Sequence, residues 1–212
     1  MTDWTLVRAR GLTKRWDATS GLRPVDFDVD RGEVVVVRGR SGSGKSTLVG
    51  ILAGWCEPDA GTLEWPGLDD DTSPRHWRSV AFSPQVLAPI VELSVRENVA
   101  LPLRSAGVPW REAMARADEL LAVVDLTEQA RRAADAVSLG QQQRMSIARA
   151  AVVRPALLVV DEPTSHQDAD HTATLVALFR SLARQGSACV VATHDPAVAG
   201  AADRIVDLDA LT

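Results

Sequence analysis

Tyrosine is absent from this 212-residue chain, and lysine nearly so: of 23 basic residues only Lys14 and Lys45 are lysine. Cysteine occurs twice, as Cys56 and Cys189, too few and too far apart for a disulfide framework or a cysteine metal site. Cys189 stands in the apolar run 188–192 and reads as a buried thiol. No apolar run approaches the roughly 20 residues needed to cross a bilayer as a helix. The opening Met-Thr-Asp-Trp-Thr lacks the pattern of a secretion signal, so the expected compartment is the cytosol. Association with a membrane is then expected only through a partner. Positive charge is also in deficit. A net charge of −5 leaves no basic footprint, which argues against nucleic acid as a partner. Repeats and low-complexity tails are missing too. What remains, 46% hydrophobic and 24% charged, is the composition of an ordinary globular domain with ample core.

The strongest positive signal is the run Gly39, Arg40, Ser41, Gly42, Ser43, Gly44, Lys45, Ser46 and Thr47. It follows the four valines 34–37 and precedes an apolar helix start over 48–52. Strand, glycine-rich turn and helix are the context a phosphate-binding P-loop requires. The glycines permit a tight turn with inward-pointing N–H groups, and the helix adds its positive end. Lys45 is placed to reach β- and γ-phosphates, and Ser46 to offer a hydroxyl to Mg²⁺. In a chain whose cations are almost all arginine, lysine here fits a need for a compact point charge. The implied ligand is a nucleoside triphosphate.

The rest of the pattern is α/β. Segments 5–10 and 22–29 alternate as strands, with Arg31-Gly32 as a turn. Residues 34–37, 157–160 and 189–192 read as strands buried on both faces, and 205–208 as a last strand. Residues 172–184 carry a helical stripe, and strand alternating with helix implies a parallel sheet. Residues 86–150 differ, with helices over 111–125 and 141–153 and no clear strand between them. Asp69-Asp-Asp-Thr-Ser-Pro reads as a solvated loop.

Three further elements have chemistry in them. Asp161-Glu162 ends an apolar strand: beside a P-loop, Asp161 suits Mg²⁺ and Glu162 suits taking a proton from attacking water. His194 ends the next strand; alone it is an ordinary strand-end residue, but in the same sheet it can contact the γ-phosphate. Ser138, before the helix containing Gln141, is on its own a helix cap or, at a helix N-terminus, a second anion-binding end.

Together these elements resemble the nucleotide-binding subunit of an ATP-binding cassette (ABC) transporter over nearly the whole chain. The resemblance implies a P-loop NTPase with a parallel-sheet core, an N-terminal antiparallel β subdomain and an inserted helical lobe. Residues 1–85 and 151–212 would form the core, and 86–150 the lobe, of one domain. Gly39 to Thr47 matches the Walker A loop, and 157–162 matches Walker B with its catalytic Glu162. Gln85 matches the glutamine that in the family touches Mg²⁺ and water, and His194 the switch histidine. Ser138, Gly140 and Gln141 match the signature motif that binds nucleotide, and 165–168 the D-loop. Trp16 matches the adenine-stacking aromatic, where a family tyrosine is replaced by an equivalent face; without the family it is a packing residue. Two positions depart: Leu139 replaces the usual first glycine of the signature, where a side chain opposes close backbone approach, and Gln167 replaces an apolar residue before Asp168.

The family pattern implies ATP and Mg²⁺, a head-to-tail dimer with a second cassette (identical or not) and an integral membrane permease. It places the chain on the inner face of the cell membrane through that permease. Glu97-Asn-Val-Ala-Leu-Pro-Leu103, Gly107 and the 111–125 helix resemble the lipoprotein-release and macrolide-export branch. The alternative is an ATPase that regulates a transmembrane partner without moving a solute. Residues 86–91 are a candidate permease surface or, equally, local packing.

Overall fold

The computed structural model describes residues 4–17, 20–68 and 79–210. The solvated loop expected at 69–74 lies outside the described residues. In chain order the elements are β1 (Thr5–Arg15), β2 (Gly21–Asp30), β3 (Val34–Arg38), α1 (Lys45–Leu52), β4 (Ala60–Glu64) and β5 (Val80–Ser83). Then come α2 (Val95–Ser105), α3 (Trp110–Val123), α4 (Leu139–Ala151), β6 (Leu157–Asp161), α5 (Ala169–Arg184), β7 (Ala188–Ala192), α6 (Pro196–Gly200) and β8 (Arg204–Asp207).

Two sheets organise the described residues. The first is antiparallel, in the order β2-β1-β4, with β1 bulged against both neighbours. The second is fully parallel, in the order β5-β6-β7-β3-β8. Its register pairs Val37 with Ala192 and Ala192 with Asp161, so the segments after β3, β6 and β7 leave the sheet along one edge. Ligands of open parallel sheets bind at that carboxyl edge.

The four valines of β3 are buried on both faces, as are all residues of β6 and β7. Period-2 alternation sorts them into two layers. Val35, Val37, Val159 and Val190 pack with α1 and the antiparallel sheet around Phe27. Val34, Val36, Val160 and Val191 pack with α4, α5 and the helices inserted between β5 and β6. The inserted helices thus share one apolar layer with the sheet.

Several boundaries differ from the sequence reading for local reasons. Helix α1 begins at Lys45, not 48, directly from the glycine turn. Helix α3 ends at Val123, and Asp125 then turns with φ of +54°. Helix α4 begins at Leu139 because Ser138 caps it, and α5 begins at Ala169 because Asp168 does. The last strand is Arg204–Asp207, one residue early. Cys189 is fully buried, and burial pushes its thiol up to about 12.

Candidate functional site

The P-loop is held by β3 behind it and α1 ahead of it. Gly44 is the N-cap of α1 with φ of +97°, in the left-handed region, and no side chain caps the helix. A Cβ at Gly44 would lie 2.9 Å from the Gly21 carbonyl oxygen, so this approach of two backbones needs glycine. With no cap and no acid in its first turn, α1 leaves its N-terminal N–H groups available to an anion. Lys45 Nζ folds back and donates to the carbonyls of Gly39 at 2.7 Å and Arg40 at 3.2 Å. The Arg40 N–H is anchored from the far side by Asp209 at 2.8 Å.

One open groove of about 500 Å³ runs along this loop. Trp16, Lys45, Gln85, Glu162, Ser165 and His194 line it, with Gly39 to Gly42, Gly44, Ser46 and Thr47. The indole of Trp16 is more than half exposed and is fixed at one edge, where Nε1 donates to Thr47 Oγ1 at 3.0 Å. Lys14 sits over the ring at 5.2 Å and is itself paired with Asp59 at 2.7 Å. The second lysine of the chain therefore supports this aromatic face.

Behind the groove lies Asp161, 5% exposed. Ser46 hydrogen-bonds its carboxylate, yet Oδ1 has no partner. Burial pushes this carboxyl above its ordinary value, and the like charge of Glu162 adds to the rise; the Ser46 bond and Lys45 oppose it. A desolvated carboxylate with a spare oxygen beside a hydroxyl is a donor set suited to a hard divalent cation.

Glu162 has φ of +47°, a conformation that costs an L-residue about 1–2 kcal/mol. The surroundings hold it there. Its N–H donates to Ala192 of β7 at 2.8 Å, and its carbonyl accepts from Gln143 Nε2 and, at 3.1 Å, from Ser165 Oγ. The side chain is turned into the groove, with His194 Nδ1 3.3 Å from Oε1 and 3.2 Å from Oε2.

Ser138, Gly140 and Gln141 are not among the residues lining this groove. Ser138 is exposed and forms a capping box with Gln141: each side chain accepts the other's backbone N–H, at 3.3 and 3.0 Å. Leu139, just inside the cap, is 57% exposed. Gly140 has an explanation the sequence did not offer. A Cβ there would lie 2.5 Å from the His166 carbonyl oxygen, so its own chain already requires the glycine. Sequence reasoning also missed Gln143, whose buried amide reaches the strand end of β6 from α4; only the three-dimensional path brings them together.

A second groove, about 410 Å³, lies where the end of α1 and β5 meet α2 and α4. Trp55 and Phe82 form one wall, in an edge-to-face pair with centroids 4.8 Å apart, and Pro102 and Arg149 face them. Beside it the 86–91 segment divides: Ile90 is pinned through both its N–H and its carbonyl by the buried amide of Asn98, while Val86 is 82% exposed.

Comparison with known proteins accords with this geometry. The ABC transporter family model matches residues 22–165. The chain is 41% identical over 210 residues to lipoprotein-releasing system ATP-binding protein LolD 2 of Caulobacter vibrioides, covering 94% of this chain and 92% of that protein. It is 34% identical to LolD of Bacteroides thetaiotaomicron, covering 96% of each. It is 38% identical to methionine import ATP-binding protein MetN of Rhizobium etli, spanning 59% of that protein. Among solved structures, the dimeric ATP-binding cassette MJ0796 in a post-hydrolysis state with ADP and Pi superimposes with a TM-score of 0.84 at 31% identity, covering 95% and 93% of the two chains. The chain therefore belongs to the ABC transporter family, as one of its ATP-hydrolysing cassettes.

Proposed function

We propose that two copies of this cassette close head to tail around ATP and drive a membrane permease of the lipoprotein-release type, from its cytoplasmic face. The observation that carries the reading is the convergence of Trp16, Lys45, Gln85, Glu162 and His194 on one groove from which Ser138 is absent. That groove holds half a site. The exposed N-terminus of α4 is the complementary half, presented to a facing copy.

In this reading the Trp16 face stacks on adenine, held by Thr47 and Lys14. Lys45 exchanges its contacts with the Gly39 and Arg40 carbonyls for the β- and γ-phosphate oxygens, and the free N–H groups of α1 receive the same phosphates. Ser46, Asp161 and Gln85 would hold Mg²⁺, which supplies charge neutralisation at the phosphates when bound. Glu162 takes a proton from the water that attacks the γ-phosphorus as the bond to the β-phosphate oxygen breaks, giving ADP and phosphate. His194, at hydrogen-bond reach of Glu162, holds that carboxylate and faces the γ-phosphate. Ser138, Gly140 and Gln141 of the facing copy add backbone and hydroxyl donors that engage only in the closed dimer. Closure and reopening form the two-state element that moves the permease, with the Trp55–Phe82 groove and exposed Val86 as its contact surface.

The test is Glu162→Gln. We expect ATP affinity within threefold of wild type, hydrolysis reduced at least 100-fold and an ATP-bound dimer that accumulates in gel filtration. Turnover within tenfold of wild type rejects Glu162 as the base. Purification of the cassette from detergent-solubilised membranes, with identification of the co-purifying membrane protein, tests the permease assignment. Recovery of the cassette without one counts against it.

A further inference from the structure

The segment that follows β6 and the start of α4 are bound to each other inside one chain, and Gly140, Gln143, Arg144 and Gln167 do not line the nucleotide groove. Gln167 uses both ends of its amide. Its Oε1 accepts from Arg144 Nη1 at 3.0 Å, and its Nε2 donates to the Gly140 carbonyl at 2.9 Å. Arg144 is 4% exposed and makes no ion pair among the described residues. Among the described residues its only other acceptor is the Asp125 carbonyl at 3.5 Å, and its Nε is buried without a partner there. The amide oxygen of Gln167 is thus the one close acceptor of a buried guanidinium, a group costly to leave unpaired.

The same face is tight in two other places. The His166 carbonyl packs where a Cβ on Gly140 would be. One residue from Arg144, Gln143 reaches the carbonyl of Glu162, the strained residue at the end of β6. Three positions of α4 therefore grip residues 162–167, and Gln167 is the only one of the gripped residues whose side chain answers twice. An apolar side chain at 167 has neither an acceptor for Arg144 nor a donor for Gly140.

We propose that Gln167 is a positioning residue, which locks the segment carrying Glu162 to the helix whose N-terminus carries Ser138, so that the two move as one body. The consequence rests on the reading of Glu162 and Ser138 as parts of two facing sites. A shift of Glu162 on loss of the γ-phosphate in one site is carried through Gln167 to the Ser138 end that serves the other. The departure at 167 is then a working part of this chain's cycle.

Two variants of the full-length chain test this, with two readouts. Gln167→Leu removes both bonds, and Gln167→Glu keeps an acceptor for Arg144 but loses the donor to Gly140. For Gln167→Leu we expect kcat to fall at least tenfold with KM for ATP within threefold, and hydrogen exchange of amides 142–146 to speed at least tenfold. Gln167→Glu should lie between Gln167→Leu and wild type in both readouts. A Gln167→Leu protein with kcat within twofold of wild type and unchanged exchange overturns the proposal. So does a parallel loss of kcat, ATP affinity and thermal midpoint, which would make Gln167 a general packing residue. If wild type itself neither dimerises nor hydrolyses ATP, the two-site reading fails instead, and exchange, measured without turnover, still decides the lock.

Discussion

Leu139 sits at the first position of α4, next to Ser138, with 57% of its surface exposed. Its side chain is not part of either apolar layer, so replacing it leaves the fold's interior alone. In a head-to-tail dimer it would stand where a facing phosphate and P-loop must approach, and a branched apolar side chain there keeps backbones apart. Leu139→Gly, made in the Glu162→Gln background to suppress turnover, should raise the ATP-dependent dimer fraction severalfold in gel filtration at fixed protein concentration. An unchanged or smaller dimer fraction means that Leu139 does not restrain closure. The neighbouring Gly140 cannot be varied in the same spirit. Any Cβ there strikes the His166 carbonyl, so Gly140→Ala perturbs the chain's own segment before any partner is met.

Among the inserted helices, serine caps decide where α2 and α4 begin, while α3 starts after Pro109 with no side-chain cap. Helix α2 carries a full capping box: Ser94 Oγ accepts the Glu97 N–H at 3.3 Å, and Glu97 accepts the Ser94 N–H at 2.9 Å. The Ser94 bonds hold the Glu97 carboxyl below its ordinary value. Ser94→Ala should cost about 1 kcal/mol of unfolding free energy, read by urea titration, and leave ATP affinity unchanged. A loss under about 0.3 kcal/mol would mean that the cap is replaced by water. The strands β3, β6 and β7 announce themselves because burial on both faces demands continuous apolar runs, and α5 because its stripe faces one layer. Strand β4 does not, since Ala60–Glu64 is mostly exposed and is a strand only because β1 offers it an edge. Lys45 is legible from the glycine-rich loop, and Glu162 and His194 as strand-end chemistry. Gln143 and the Gln167 amide are not, because their partners lie 19 to 27 residues away and are chosen by the packing of α4, not by any local pattern.

For the whole molecule, the parallel sheet ends at β8, and ion pairs fasten that edge. Arg38 of β3 pairs with Asp207 at 2.8 Å, Arg204 with Glu33 at 2.8 Å, and Arg180 of α5 with Asp203 at 2.7 Å. Asp203 also accepts the Val34 N–H at 2.9 Å, so one carboxylate joins α5, the start of β3 and the start of β8. The Arg180 guanidinium, helped by that N–H, holds the Asp203 carboxyl below its ordinary 3.8. On acidification the unfolded chain takes up this proton first, so the contribution of Asp203 is present above about pH 3.8 and is lost as pH falls through the lower folded value. Asp28 beside Arg10 is lowered in the same direction, by the same kind of partner. Wild type should therefore lose these contributions as pH falls below about 3.8, each discounted because the pairs are largely exposed to solvent. Asp203→Asn should be less stable than wild type at pH 7, because Arg180 loses its charged partner, and the difference should shrink as pH falls below about 3.8. Urea midpoints for both proteins from pH 7 to pH 3 check this. A difference that is constant across the range would show that Asp203 acts through its shape and its Val34 bond, with its charge contributing nothing to the edge.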